Sequence, residues 1–145
     1  MEVSIIETIN IYTAGGMSGL SNEDQTVWRK HVKKKLESCE CDYKVKVCNP
    51  VDYYNFSVKL HETEREVMEF DLHKVRTSNL IIVNFNAPYS LGTMAEIAIA
   101  YEHRIPVIGL NERGFELHPW QIEMCGRIFD NMGEMLDYVE NYYLK

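Results

Sequence analysis

The sequence predicts an α/β fold: a single-domain, three-layer α/β/α sandwich over residues 1–145, with a five-stranded, mainly parallel sheet of flavodoxin or Rossmann-like type. Three observations carry that expectation. Short apolar runs alternate with stretches of helical periodicity, which implies βαβ crossovers and a parallel sheet with helices on both faces. The run "NLIIVNF" at 79–85 is almost continuously apolar, as a strand covered on both faces must be. With 145 residues, 46% hydrophobic and 26% charged, the chain is long enough for one core without disulfides or metals. No internal repeat and no linker divides it.

Each element follows from its own pattern. "TINIYTAGG" (8–16) starts with period-two apolar residues and ends in a glycine pair, a strand running into a loop. "SNEDQTVWRKHVKKKLES" (21–38) opens with Ser21 and Asp24 at capping-box spacing, and Val27, Trp28, Val32 and Leu36 form one helical stripe. Its basic run "RKHVKKK" (29–35) reads as a solvated face with its cations toward the helix C-terminus. "YKVKVCNP" (43–50) is a second strand, stopped by Asn49-Pro50. "LHETEREVMEFDLHKVRTS" (60–78) is a helix with Val67, Met68, Leu72 and Val75 on one side. After the third strand, "YSLGTMAEIAIAYEHR" (89–104) is a helix and "RIPVIGL" (104–110) a fourth strand. Residues 115–125 fit a short helix or a lid. "RIFDNM" is a weak fifth strand, and "GEMLDYVENYYL" a closing helix.

In such sheets, ligands bind beyond the carboxyl ends of the strands, near the switch in strand order. That places the 12–19 loop, the 84–92 loop and the 110–120 segment on one rim. Asp71, near the middle of its helix, could lean toward it.

Composition excludes several classes. A net charge of −7 argues against a surface that grips a nucleic-acid backbone. The N-terminus lacks a signal-peptide pattern, and no apolar run approaches the ~20 residues that span a bilayer. A cytoplasmic protein with no membrane partner is expected, its four cysteines reduced. Cys39 and Cys41 are not the C-x-x-C of a zinc ribbon, and His61 in "HETER" lacks the second histidine of a zinc-protease helix. No metal and no cofactor are expected. There is no G-x-S-x-G elbow. The paired acids of a response regulator are missing, since the first strand ends "YTAGG" and the third "NFNAP".

Three features bear two readings each. Glu96 lies three places after Thr93, where a buried strand gives way to a helix. It is either the far half of a Thr93 capping box or a site carboxylate, ionised beside the helix dipole and available as a nucleophile. The roles compete, because a carboxylate held by the cap points away from substrate. Gly15, Gly16 and Gly19 form either a plain turn or a cradle whose backbone N–H groups approach an anion. Asp71 is either a solvated helix residue or part of the rim.

The segments "NIYTAGGMSG", "EFDLHKVRTSNLIIVNFN" and "SLGTMAEIAIAYEHRIPVIGL", in that order on a strand–helix scaffold, resemble the nucleoside 2-deoxyribosyltransferase family. That family includes relatives that hydrolyse the N-glycosidic bond of nucleoside 5′-monophosphates. The resemblance covers most of residues 9–110. It implies that Glu96 is the nucleophile, attacking the anomeric carbon to form a glycosyl ester. It implies that the Tyr12 hydroxyl holds Glu96, and that Asp71 contacts the base and manages its proton. Gly15, Gly16, Ser18 and Gly19 would line the sugar side, with Asn86, Ser90, Gly92 and Thr93 opposite. The paired carboxyl groups suit a retaining glycosidic displacement.

The chain departs from the family in places. Ser90 stands where the transferases tend to carry an acid, as in the monophosphate hydrolases, and would make a phosphate corner with Ser18. The 12–20 loop lacks the arginine that such hydrolases often offer the phosphate. Asn79 replaces a frequent acid before the third strand.

The resemblance implies cleavage of the N-glycosidic bond of a (deoxy)nucleoside or its 5′-monophosphate, passing the sugar to another base or to water. A monophosphate N-glycosidase acting only with water is the alternative. A non-catalytic nucleotide-binding module and a flavodoxin-like redox protein are the rivals from other classes. A homo-oligomer is implied, a neighbour's 115–125 segment or C-terminal "NYYLK" closing each shared active site.

Overall fold

The computed structural model describes residues 6–17, 19–52 and 61–145. Its five strands are β1 (Thr8–Gly15), β2 (Lys44–Cys48), β3 (Leu80–Asn84), β4 (Val107–Leu110) and β5 (Arg127–Phe129). The helices are α1 (Asn22–Glu37), α2 (Glu64–Arg76), α3 (Leu91–Glu102), α4 (Pro119–Met124) and α5 (Met132–Tyr142), with a 3-10 turn over Pro50–Asp52. The sheet order is β2-β1-β3-β4-β5, and every neighbouring pair is parallel. The expected three-layer α/β arrangement is what the chain adopts, and the switch in strand order falls between β1 and β3.

The period of two along each strand divides the core into two layers. On one face Ile11, Val45, Val47, Leu80, Ile82, Ile108 and Leu110 pack against Trp28, Val32 and Leu36 of α1 and Met135, Leu136 and Val139 of α5. On the other, Tyr12, Ala14, Ile81, Val83 and Val107 meet Val75 of α2 with Ile97 and Ala100 of α3. All five residues of β3 are buried, because both of its faces are covered. Burying each such aliphatic side chain contributes about 1.5–3 kcal/mol. Asn79 opens β3 by bridging to β1: its Oδ1 accepts from Asn10 N at 2.8 Å, and its own N–H donates to Asn10 O at 2.8 Å.

The helix signals hold at their starts and slip on their faces. Ser21 caps α1 and accepts from Asp24 N at 3.0 Å. Thr63 caps α2 in the same way, through Glu66 N. Val27 and Met68, expected on buried stripes, are 56% and 53% exposed. The ambiguous 115–125 stretch is a loop followed by the short α4. His118 caps that helix, and Gln121 closes a capping box by accepting from His118 N at 2.7 Å. The buried Gln121 amide also donates to Pro88 O, and the Tyr89 hydroxyl reaches Glu116 O at 3.3 Å, so this segment does join the 84–92 loop on one rim.

Candidate active site

β1 and β3 are adjacent, with Gly15 opposite Asn84, yet the chain leaves their ends toward opposite faces of the sheet. The two exit loops close directly on each other. Gly16 N donates to Asn86 Oδ1 at 3.2 Å. A Cβ at Gly16 would stand 2.4 Å from the Ala87 Cβ, so only glycine permits this approach.

The helix that follows, α3, starts at Leu91, ahead of Thr93. Ser90, not Thr93, is the N-cap of α3: its Oγ accepts from Thr93 N at 3.4 Å and from the Thr93 hydroxyl at 3.1 Å. The capping-box reading of Thr93 and Glu96 is thereby overturned. Glu96 falls in the second turn of α3, released from the cap, and its carboxylate instead accepts from the Tyr12 hydroxyl. Tyr12 is fully buried on β1. The two residues meet because β1 runs beneath α3 in the layer that holds Tyr12 and Ile97.

Electrostatics at the pair follow from burial. Glu96 is pushed from an ordinary 4.5 up to about 7, chiefly by desolvation and further by the negative Asp71. The Tyr12 hydrogen bond and the positive Arg29 pull it back. The expectation that the helix dipole keeps this carboxylate ionised is corrected, because that influence fades beyond the first turn and Glu96 lies past it. Tyr12 is driven upward by burial, then by the charges of Glu96 and Asp71. It stays a neutral phenol and therefore a hydrogen-bond donor. Asp71 is half-buried on α2, and its charge is felt at both Glu96 and Tyr12.

The remaining expected site residues are distributed unevenly. Gly15, Gly16 and Asn86 lie together where the two loops touch. Ser90 and the buried Thr93 are joined in the α3 cap. Gly92, in the first turn of α3, is exposed with open space around it. Gly19 is exposed at φ +80°, a left-handed conformation that favours glycine. Ser18 lies outside the described residues.

One charged residue was hidden by its own type. Arg29 is 1% exposed, although it belongs to the basic run read as a solvated face. Its Nη1 donates to Gln25 O at 2.6 Å and its Nη2 to Gly15 O at 3.3 Å, while the guanidinium lies 4.7 Å from the centre of the Trp28 ring. The spacing Arg29–Val32–Leu36 is that of the buried stripe and was legible, but the charge argued the other way.

A buried carboxyl near neutrality, a phenol donor bonded to it and a second carboxylate within electrostatic reach form a set suited to displacement at an electrophilic carbon. No curated protein sequence matches this chain. In fold it is similar to a conserved protein from Enterococcus faecalis V583, with a TM-score of 0.73 at 15% identity, over 92% of this chain and 98% of that one. It is similar to the 2-deoxyribosyltransferase of Bacillus psychrosaccharolyticus, with a TM-score of 0.72 at 16% identity, over 89% of this chain and 91% of the other. A CMP N-glycosidase from Clostridium botulinum aligns with a TM-score of 0.62 at 14% identity, over 92% and 98% of the two chains. Identities this low speak for the fold alone. The family described as nucleoside 2-deoxyribosyltransferase like matches residues 8–113, from the first strand past the fourth. With its sequence motifs, strand order and family match in agreement, this chain belongs to the nucleoside 2-deoxyribosyltransferase-like family.

Proposed function

We propose that this protein is an enzyme that cleaves the N-glycosidic bond of a (deoxy)nucleoside or its 5′-monophosphate through a covalent ester on Glu96. The observation that carries the reading is that Glu96 is held by Tyr12 on another element and not by its own helix start. In the first step a Glu96 oxygen bonds to the anomeric carbon as the carbon–nitrogen bond breaks. The electron pair leaves with the base, which takes a proton from the Asp71 carboxyl. The buried, anionic Glu96 stabilises the oxocarbenium character of the sugar and then captures it. In the second step a nitrogen of another base, or water, attacks the same carbon, its proton passes to the Asp71 carboxylate, and the ester breaks, returning Glu96 as a carboxylate and Asp71 as the acid. The Tyr12 hydroxyl orients the carboxylate throughout, and it supports the ionised form that attacks. Gly15, Gly16, Ser18 and Gly19 line the sugar from one side, and Asn86, Ser90, Gly92 and Thr93 from the other.

The working unit is a homo-oligomer with shared sites. In support, Tyr89, Leu91 and Trp120 leave large apolar surfaces exposed on the rim that carries the site, at 76%, 86% and 67%. A cytosolic location fits the proposed substrate. No described helix is long and apolar enough to cross a membrane.

The test is incubation with deoxynucleosides, ribonucleosides and their 5′-monophosphates, each with and without a second free base, with chromatography of the bases. Released base means hydrolysis, and a new nucleoside means transfer. Binding of these compounds with no base released or exchanged in any mixture would leave a nucleotide-binding module and end the enzymatic reading.

A further inference from the structure

Arg29 poses an energetic problem that its hydrogen bonds do not solve. It is buried to 1% exposure, its two described bonds go to backbone carbonyls, and its Nε–H has no partner among the described residues. Nor does it form an ion pair at contact distance among those residues. A buried charge persists only when other charges compensate it. Burial pushes the guanidinium pKa below its ordinary value, and the carboxylates that oppose this come from three separate elements: Glu96 on α3, Asp52 on the 3-10 turn and Asp71 on α2.

The space it occupies is made by a glycine. A Cβ on Gly15 would meet Trp28 Cζ2 at 2.9 Å and Arg29 Nη2 at 3.3 Å. Gly15 therefore leaves room for an arginine of the protein itself, tucked under the end of the strand that carries Tyr12. Asn49 steadies the same segment of α1, since its amide donates to Arg29 O at 3.2 Å while its Oδ1 accepts from Thr13 at 2.6 Å.

We propose that Arg29 is a positioning residue of this site, a buried guanidinium anchored on Gly15 O that serves as the fixed counter-charge to the Glu96–Tyr12 pair. The inference rests on the glycosidic reading only in naming Glu96 as the nucleophile. Arg29 acts through Glu96 and touches no substrate. Its role is to favour the anionic carboxylate inside a site whose burial, reinforced by Asp71, opposes ionisation. Arginine suits this role better than lysine, because it keeps its proton when buried and its planar fork reaches two carbonyls at once.

The direct test is an NMR pH titration of the full-length protein labelled with 15N at arginine side chains. The Arg29 Nε–H signal, assigned by its absence in Arg29→Lys, should shift with a midpoint near 7 in the wild type and stay flat in Glu96→Gln. An Arg29 signal that ignores pH from about 5 to 9 in the wild type overturns the proposal. In the activity assay, Arg29→Gln should move the acid limb of kcat/KM upward by about half a pH unit or more, and Arg29→Lys should restore only part of the shift. An unmoved limb in a folded Arg29→Gln protein assigns the residue to packing alone and also overturns the proposal. If Arg29→Gln does not fold, the titration decides by itself. If the wild type releases no base from any nucleoside, the glycosidic reading fails, while the titration still decides the role of Arg29.

Discussion

The Tyr12 hydroxyl donates to the Glu96 carboxylate, joining residues 84 positions apart in the chain. The bond crosses from β1 to the helix above it, so it forms only when β1, β3 and α3 are all in place. It links the stability of the fold to the chemistry of the site, and most of what can be tested here follows from it.

Removing the carboxylate is the first test. Glu96→Ala should lower base release by at least about a thousandfold, since it removes the proposed nucleophile and leaves only binding and proton delivery. Mass spectrometry of wild-type protein quenched with substrate should find one added sugar on the peptide that contains residue 96. The same adduct in Glu96→Ala would defeat the assignment.

The acid limb of the rate profile tests the neighbours with opposite signs. With Glu96 titrating at about 7, kcat/KM of the wild type should rise with pH to a midpoint near that value. Tyr12→Phe removes a hydrogen bond that favours the anion, so its midpoint should rise by about one unit. Asp71→Asn removes a negative neighbour, so its midpoint should fall. Shifts of the same sign in both variants would contradict this arrangement.

Stability should carry the mirror image of that titration. The carboxyl of Glu96 titrates near 7 when folded and near 4.5 in an ordinary setting, so between those values the folded state binds more protons. Stability is therefore lost as pH rises through this window, and the full penalty is present above it. Glu96→Gln should match the wild type near pH 4 and exceed it at pH 8 by on the order of 1–3 kcal/mol in urea unfolding.

The glycines make a paired prediction. Gly16→Ala forces its Cβ into Ala87 and should cost about 1–3 kcal/mol by parting the two loops, with a raised KM. Gly92→Ala meets nothing within 4 Å and lies inside α3, so it should gain about 0.4–1 kcal/mol. A fall in substrate affinity for this second variant, despite better stability, would mean that substrate approaches the Gly92 backbone.

The α3 cap gives a simple control. Ser90→Ala removes the side chain that accepts from Thr93 N and should cost about 1 kcal/mol of stability in thermal or urea unfolding. A larger loss of activity on 5′-monophosphates than on nucleosides would add a phosphate contact to the cap.

By itself the sequence determined the alternation of strands and helices, the doubly covered β3 and the loops that meet at the rim. Those follow from periodicity and glycine placement, which act over a few residues. It also brought Tyr12, Asp71 and Glu96 forward together, but only through resemblance, since no local rule links residues in three separate elements. Tertiary structure alone decided which partner Glu96 takes. Thr93 and Ser90 both have capping side chains, and the choice between them rests on where the loop after β3 must turn to meet Gly16. It likewise decided that Arg29 is inside, because burial of a charge depends on distant compensating groups that a helical repeat does not contain. The near-neutral Glu96 has the same origin: desolvation is a sum over every layer packed around a group, and neighbours along the chain supply little of it.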